Sequence, residues 1–402
     1  MYCGGFGMYL MKIRPYRHPL GSYEIGRHVL EPGRHVTAPI RIVFDKTWTV
    51  TSDTKTIKEK PRYTSNIRKD KTKEVVHLIK KERHVPWKIR KWEALLRRLP
   101  SAHPERTKLE EQLAMSRAGY RGETSMDYHL NFLPSHDCYV LHDLRLQGER
   151  DTYFQIDTLL ITPHFLLILE IKNIAGTLYF DPSFQQMIRT LDDKEEAFPD
   201  PLLQLSRQKS QLQNWLIRHK LPQAPVPGFV VISNASAVLK ADPENRDMYH
   251  SVIRPPSLPY SFESLQKKYA AVTLTKQQVQ KISRKLKKFH QHHIPDTPSE
   301  VEPRLLRTGV YCPDCHHLPL PRQRGGWYCG VCHSLHPQAH TASLIDYALI
   351  HKTTITNREC RTFLQLDSPS VVAKLFHQLD LPYTGSYKNR RYTLPLEILA
   401  RM

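Results

Sequence analysis

Two groups of residues in this 402-residue chain have types and spacings that can do chemistry. The first runs from Gln155-Ile156-Asp157, through an apolar stretch, to Glu170-Ile171-Lys172-Asn173. If Pro163-His164 is a two-residue turn between strands, residues placed symmetrically about it stand opposite each other. Asp157 then faces Glu170, and Gln155 faces Lys172. Opposed residues point to one face, and alternate residues of a strand share it. One face is expected to carry Gln155, Asp157, Glu170 and Lys172 at one end and Leu159, Ile161, Leu166 and Ile168 at the other. The opposite face, with Ile156, Leu160, Leu167, Leu169 and Ile171, is expected to be buried. Two opposed carboxylates repel. A divalent cation is the natural compensation, because Mg²⁺ usually takes one or two carboxylates together with phosphate oxygens. A lysine two residues on can steer the attacking water and stabilise developing negative charge. Together these steps hydrolyse a phosphodiester. The same residue types also make an ordinary solvated strand end, and an ExK triplet alone does not decide between the two.

The second group is Cys312-Pro313-Asp314-Cys315 with Cys329-Gly330-Val331-Cys332, a CxxC-x13-CxxC spacing. Four thiolates from two tight turns close a tetrahedron around a structural Zn²⁺. Trp327-Tyr328 suits the thin apolar layer of a zinc ribbon, and His316, His317 and His333 are expected to be exposed. The seven cysteines are an odd number in a long chain, which argues against a disulfide framework.

The carboxylate segment, with Gly176 after it, resembles the nuclease-related domain family, a branch of the PD-(D/E)XK nuclease superfamily. The resemblance extends upstream to Gly119-Tyr120-Arg121-Gly122-Glu123 and downstream to Pro201-Leu202-Leu203-Gln204. It covers roughly residues 115 to 235. It implies Asp157 and Glu170 as ligands of Mg²⁺ or Mn²⁺, with the Ile171 carbonyl as a further ligand. It implies Lys172 positioning or activating water, Glu123 completing the metal site from a helix, and Gln204 touching substrate or ordering the site. Gln155 is left a structural role. Fold alone does not carry activity.

These groups need elements to hold them. Helices are expected at Trp87 to Leu99, Thr107 to Leu130, Pro201 to His219 and Lys276 to His292. Gly119 and Gly122 weaken the second as a single helix. Strands are expected at Cys138 to Leu146, Thr152 to Thr162, Phe165 to Asn173, Gly176 to Phe180 and Gly228 to Ser233. The fold class is α/β: a PD-(D/E)XK restriction-endonuclease-like core, a mixed sheet flanked by helices. A small zinc ribbon and a C-terminal helical, winged-helix-like module follow. In order, the divisions are 1–76, disordered or a translated upstream region before a later start codon; 77–114, a basic helical lead-in; 115–235, the nuclease-related domain; 236–293, a helical extension; 294–307, a linker; 308–337, the ribbon; and 340–402, the tail. In the tail, helices near Ala342 to His351, Arg358 to Leu366 and Pro369 to Leu379 precede a basic turn and strand. There Lys388, Arg390 and Arg391 are placed to meet phosphates. A helical cap packed on the core is the competing reading of that tail.

The net charge of +20 and pI of about 9.6 point to a polyanionic partner. DNA is expected first, and the charge does not distinguish RNA. No run is long and apolar enough to span a membrane, and the N-terminus lacks the order of a signal peptide, so a cytoplasmic protein without a membrane partner is expected. The leading function is a metal-dependent DNA nuclease. The alternative is a non-catalytic nucleic-acid-binding or scaffold protein that keeps the nuclease fold.

Overall fold

The computed structural model describes residues 78–133, 138–242, 244 and 250–399, which lie in a unit spanning Lys71–Met402. The expectation for residues 1–76 lies outside them. A short strand β1 (Leu78–Lys81) leads into α1 (Trp87–Arg98) and α2 (Arg106–Leu130). Strands β2 (Tyr139–Gln147), β3 (Tyr153–Ile161) and β4 (Leu166–Lys172) follow. Then come β5 (Thr177–Asp181), β6 (Gln186–Leu191), β7 (Lys194–Pro199) and α3 (Pro201–Arg218). After these lie β8 (Gly228–Ile232), β9 (Val238–Ala241), β10 (Val252–Ile253), α4 (Leu258–Lys268) and α5 (Lys276–Phe289).

The main sheet has six strands in the order β1-β2-β3-β4-β8-β10. β2, β3 and β4 pair antiparallel, whereas β1–β2, β4–β8 and β8–β10 are parallel. Helices cover both faces. Leu205, Leu212 and Trp215 of α3 and Val279, Ile282 and Leu286 of α5 pack on one side. Met126 and Leu130 of α2 and Leu258 and Phe262 of α4 pack on the other. β4 is central and buried on both faces, which is why it reads as a continuous apolar run rather than an alternation. Leu166, Leu167, Ile168 and Leu169 are fully buried. Each contributes roughly 1.5–3 kcal/mol, enough together to hold the polar end of the strand in place.

The β3–β4 connection is the expected one. The Thr162 amide donates to the Phe165 carbonyl at 3.0 Å, and the Thr162 hydroxyl accepts from the His164 and Phe165 amides, which leaves Pro163-His164 at the turn's centre. α3 begins with Asp200, whose side chain accepts from the Leu202 amide, and Pro201 at its first position. β5, β6, β7 and β9 form a second sheet in the order β7-β6-β5-β9. Its β6–β7 hairpin was not foreseen: β7 (KEEAFP) is charged and exposed, so it carries no apolar alternation. Residues 236–293, expected as a helical extension, also supply β9 to this sheet and β10 to the main one.

The helix expected over Thr107 to Leu130 holds, and one expectation about the core is corrected. α2 is one unbroken 25-residue helix despite its glycines. Strict alternation fails. Phe154 and Ile156 pack in the same cluster as Leu159 and Ile161, not with Leu160. On the neighbouring strand, Leu144 and Leu146 join Tyr139 and Leu141 in the same way. Both strands reverse their alternation at one step, between the pairs His142↔Thr158 and Leu144↔Ile156. There Asp143 takes a left-handed backbone with φ of 47°.

Beyond α5, Val301 and Leu306 of the expected linker pack with Ile89, Trp92 and Ile350. The ribbon holds β11 (Arg322–Gln323), β12 (Gly326–Tyr328) and β13 (Leu335–His336) in one antiparallel sheet. The tail holds α6 (Ala339–Ile350), β14 (Thr354–Thr356), α7 (Asn357–Leu364), α8 (Pro369–Gln378), β15 (Tyr383–Thr384), β16 (Arg391–Thr393) and α9 (Leu396–Leu399). Capping hydroxyls of Thr356 and Ser368 start α7 and α8. Ribbon and tail share a single core, in which Cys312 and Trp327 pack with Leu344, Phe363 and Phe376. α1 is tied to this part by Arg97 and Arg98, which grip Asp346 at 2.7 and 2.9 Å.

Gly122 explains why α2 keeps a glycine in its interior. A Cβ there would lie 2.4 Å from the Asn173 Cβ and 2.7 Å from the Ser233 Oγ, whereas one at Gly119 meets nothing within 4 Å. Gly119→Ala should therefore stabilise the protein by ~0.5–1 kcal/mol. Gly122→Ala should destabilise it by ~1–3 kcal/mol through overpacking. Urea unfolding of both variants checks the pair, and equal shifts would contradict the packing.

Candidate active site

The acids gather where β3 and β4 part. The observed ladder keeps the expected register but ends at Thr158↔Leu169, one step short of Asp157 and Glu170. Beyond it β4 continues on β8, with Glu170↔Val230, Ile171↔Val231 and Lys172↔Ile232. In place of a ladder bond, the Asp157 carboxylate accepts the Ile171 amide at 2.8 Å. The Lys172 carbonyl accepts from the Ser233 amide on the β8 side. Backbone groups alternate in direction along a strand, so the Ile171 carbonyl lies on the same edge as its amide, toward Asp157.

Glu170 is only 2% exposed. Lys172 Nζ approaches one of its oxygens at 2.6 Å and donates to Gln204 Oε1 at 2.9 Å. Gln208, one helical turn after Gln204, donates to the other Glu170 oxygen at 2.6 Å and to the Gln155 carbonyl at 2.9 Å. The Gln155 side chain donates to Asp143, which lies on β2 between the pairs His142↔Thr158 and Leu144↔Ile156. Gly122 and the Asn173 side chain, which donates to the Ala118 carbonyl at 2.7 Å, seat α2 on the end of β4. That seating brings Glu123 to the group. Arg83, just after β1, donates to Glu123 at 2.8 Å and also bonds Asp127, His142 and Thr158. Its side chain is 4% exposed.

Electrostatics confirm how crowded the group is. Burial lifts the Glu123 carboxyl to about 7; Arg83 opposes this, and Asp143 and Glu170 add to it. Burial also raises Asp157 well above the usual carboxylate range, and the charges of Glu170 and Glu123 push it further. Asp143 is raised by burial too. Burial, then the charges of Arg83 and Lys81, depress His142 to about 3. It is thus a neutral acceptor for Arg83.

Glu123, Asp157, Glu170, Lys172 and Gln204, all chosen from the sequence, therefore come together. Arg83, Asp143 and Gln208 were missed. Gln208 carried a signal, because it lies four residues after Gln204 on the same helix face. Arg83 carried none, since it arrives from far along the chain. The residues fit a hard divalent cation: carboxylate oxygens, a backbone carbonyl and a surplus of negative charge. Among the described residues, no three of these acids bring an oxygen each within 4.8 Å of one another.

Cys312, Cys315, Cys329 and Cys332 form a separate cluster with all four sulfurs within 4.8 Å. The Cys312–Cys332 and Cys315–Cys329 separations are 3.6 and 3.5 Å. A tetrahedron with Zn–S bonds of ~2.3 Å has edges near ~3.8 Å, so the four sulfurs fit zinc. His316 and His333 each follow the second cysteine of a pair and share a left-handed backbone, with φ of 58° and 57°. They are exposed, and their backbone shapes the two turns. His336 was not singled out, yet its Nε2 lies 3.4 Å from Cys312 Sγ. In the tail, Arg390 stacks over Tyr383 at 4.2 Å and Arg391 is exposed on β16. The side chain of Lys388 lies outside the described residues.

A carboxylate with a pKa near 7, as burial gives Glu123, carries its proton in most of the population at pH 6. Binding a cation requires the ionised form, so binding must expel that proton. Mn²⁺ titrations at pH 6, run calorimetrically in buffers of different ionisation enthalpy, should show net proton release. Affinity should rise as pH goes from 6 to 8. Proton-neutral binding would contradict the crowding described.

Residues 118–233 match the family described as Nuclease-related domain. Neither the curated proteins nor the solved structures give a match. No helix among the described residues is long and apolar enough to cross a membrane. The matched stretch begins in α2 just before Glu123, takes in the acids of β3 and β4 and the glutamines of α3, and ends at Ser233 after β8. The chain carries a nuclease-related domain with a PD-(D/E)XK-like fold, followed by a four-cysteine cluster of the zinc-ribbon kind.

Proposed function

We propose that this domain hydrolyses phosphodiester bonds of DNA with the help of Mg²⁺ or Mn²⁺. The observation that carries the reading is the convergence of Asp157, Glu170 and Lys172, each held by a separate hydrogen bond, at the edge where β3 and β4 diverge. Asp157, Glu170 and the Ile171 carbonyl would hold the cation, which when bound would supply Lewis-acid stabilisation of the phosphoryl oxygens and a more acidic water. Glu123 completes the negative environment from α2. Lys172 sits beside Glu170 with its ammonium oriented by Gln204, and it positions the attacking water and offsets the charge that develops on phosphorus oxygens. Gln208 fixes the Glu170 rotamer, so one carboxylate oxygen keeps its direction.

The four cysteines hold structural Zn²⁺, and the shared core makes ribbon and tail one accessory module. Its helix–strand–helix–helix–strand–strand order, with β16 between β14 and β15, supports the winged-helix-like reading. Arg390, Arg391 and Lys388 would then meet phosphates and add affinity without sequence preference.

The test is cleavage of supercoiled and linear DNA with Mg²⁺ or Mn²⁺, alongside Asp157→Asn and Lys172→Ala proteins of verified fold. Each variant should lose about a hundredfold or more of the rate, the scale of removing one preorganised charge from a transition state. Gln208→Ala should lose less. A wild type that cuts no DNA, or variants that keep full activity, would reject the proposal. An inactive wild type that still binds DNA tightly would favour the non-catalytic binding protein.

A further inference from the structure

A cleft of about 900 Å³ opens beside the acids, between the β1–α1 segment, the end of β2 and the chain leaving α5. We propose that this cleft holds a single unpaired nucleic-acid strand, so that the substrate is single-stranded nucleic acid rather than the interior of a duplex. This rests on the nuclease reading of the same site.

Charge is laid out in the cleft by sign. Glu123, Asp143 and Gln155 line it, and the Gln155 carbonyl shares the Gln208 amide with Glu170. Asp157, Glu170 and Lys172 do not line the cleft themselves; Glu123 and Asp143, whose charges act on that carboxylate cluster, form the end of the cleft nearest to it. Lys80, His84 and Lys88 line it from the β1–α1 segment, and Arg145, Lys287 and His293 from the other side. Lys88, Lys287 and His293 are exposed. A phosphate chain lying along these cations would pass its phosphates to the cation-binding end one at a time. Trp87, half-buried against the ribbon–tail core, also lines the cleft, with Arg90 over its ring at 5.2 Å and His292 edge-on at 6.2 Å. Basic groups interleaved with an aromatic face are what unpaired bases need for stacking. Size and stacking both favour one strand. The cleft falls within the ~300–1,000 Å³ range of small-ligand pockets, which admits a few nucleotides of one strand. A duplex keeps its bases paired and stacked on one another, so it offers no base face to Trp87, whereas an unpaired strand does. The β1–α1 wall is also fixed, because Arg98 is buried against Asp346 and Lys91 donates to the Pro295 carbonyl at 2.6 Å.

The test is fluorescence anisotropy with the full chain in EDTA, where no strand is cut. The probes are oligo-dT and oligo-U of about 12 nucleotides, within the ~4–16-nucleotide footprint of a one-strand groove, and a blunt duplex of the same length. At least one single strand should bind about tenfold or more tighter than the duplex, and the stronger of the two identifies the sugar. Lys88→Glu with Lys287→Glu should weaken strand binding about tenfold and flatten its salt dependence by roughly one unit of slope per lysine. Lys88→Gln with Lys287→Gln should do so more mildly, with thermal midpoints and Mn²⁺ binding unchanged. Duplex binding equal to or tighter than strand binding would overturn the proposal, as would strand affinity indifferent to both double variants. Because the readout is binding, a protein that holds strands but cuts nothing keeps this inference and loses the nuclease reading. A protein that cuts duplex with no strand preference does the reverse.

Discussion

Negative charge is held out of water at one edge of the sheet, and much of the surrounding structure serves to keep it there. Asp157 and Glu170 lie beside each other, with Glu123 and Asp143 near enough to perturb them. Arg83 bonds Glu123 and Lys172 bonds Glu170, and the charge of Lys81 acts on Asp143. Removing ionised carboxylates from water without full compensation is costly, and such groups respond by holding protons. The raised affinities of Glu123 and Asp157 for protons are that response. A divalent cation bound there, as proposed above, would remove the need for it, and the crowding that is unfavourable in the bare protein would become cation affinity.

The fold sustains this by surrounding the charged end with apolar mass. β4 is buried on both faces for four successive residues before Glu170. Its pairing with β8 continues after β3 has left it, so the acids sit in the opening between two diverging strands. Two helices then close in, each through a small number of polar contacts. α2 approaches closely because Gly122 has no side chain, and α3 supplies Gln204 and Gln208 from successive turns. Arg83 reaches the site from the lead-in, which makes residues well before the matched domain part of its charge balance. The lead-in is itself anchored to the ribbon–tail core through the Arg97, Arg98 and Asp346 cluster. The accessory module and the site therefore share one structural support.

Much of this was legible in the sequence, and what was not had a physical reason. The β3–β4 register followed from Pro163-His164, and the cysteine spacing gave the four-sulfur cluster directly. Alternation is a two-residue rule, however, and it fails where a backbone takes a positive φ. Nothing in the residue types around Asp143 announces that both strands turn over together there. β7 was hidden because its residues are charged and exposed. Gly122 was read as a weakness of α2 when it is a point of contact, since a pattern of residues cannot show what lies opposite them. Arg83 is joined to its partners across 40 to 75 residues of chain, and separations of that kind leave no local trace.

The proposed role of the carboxylate cluster is to hold a cation between Asp157 and Glu170 at the parting of β3 and β4. Anomalous diffraction from crystals soaked in Mn²⁺ tests it most directly. The account predicts a peak about 2.1 Å from oxygens of both carboxylates, with the Ile171 carbonyl completing the protein's share of the shell. A fully soaked crystal with no peak there, or with Mn²⁺ bound to other residues while Asp157 and Glu170 keep only their present hydrogen bonds, would contradict it.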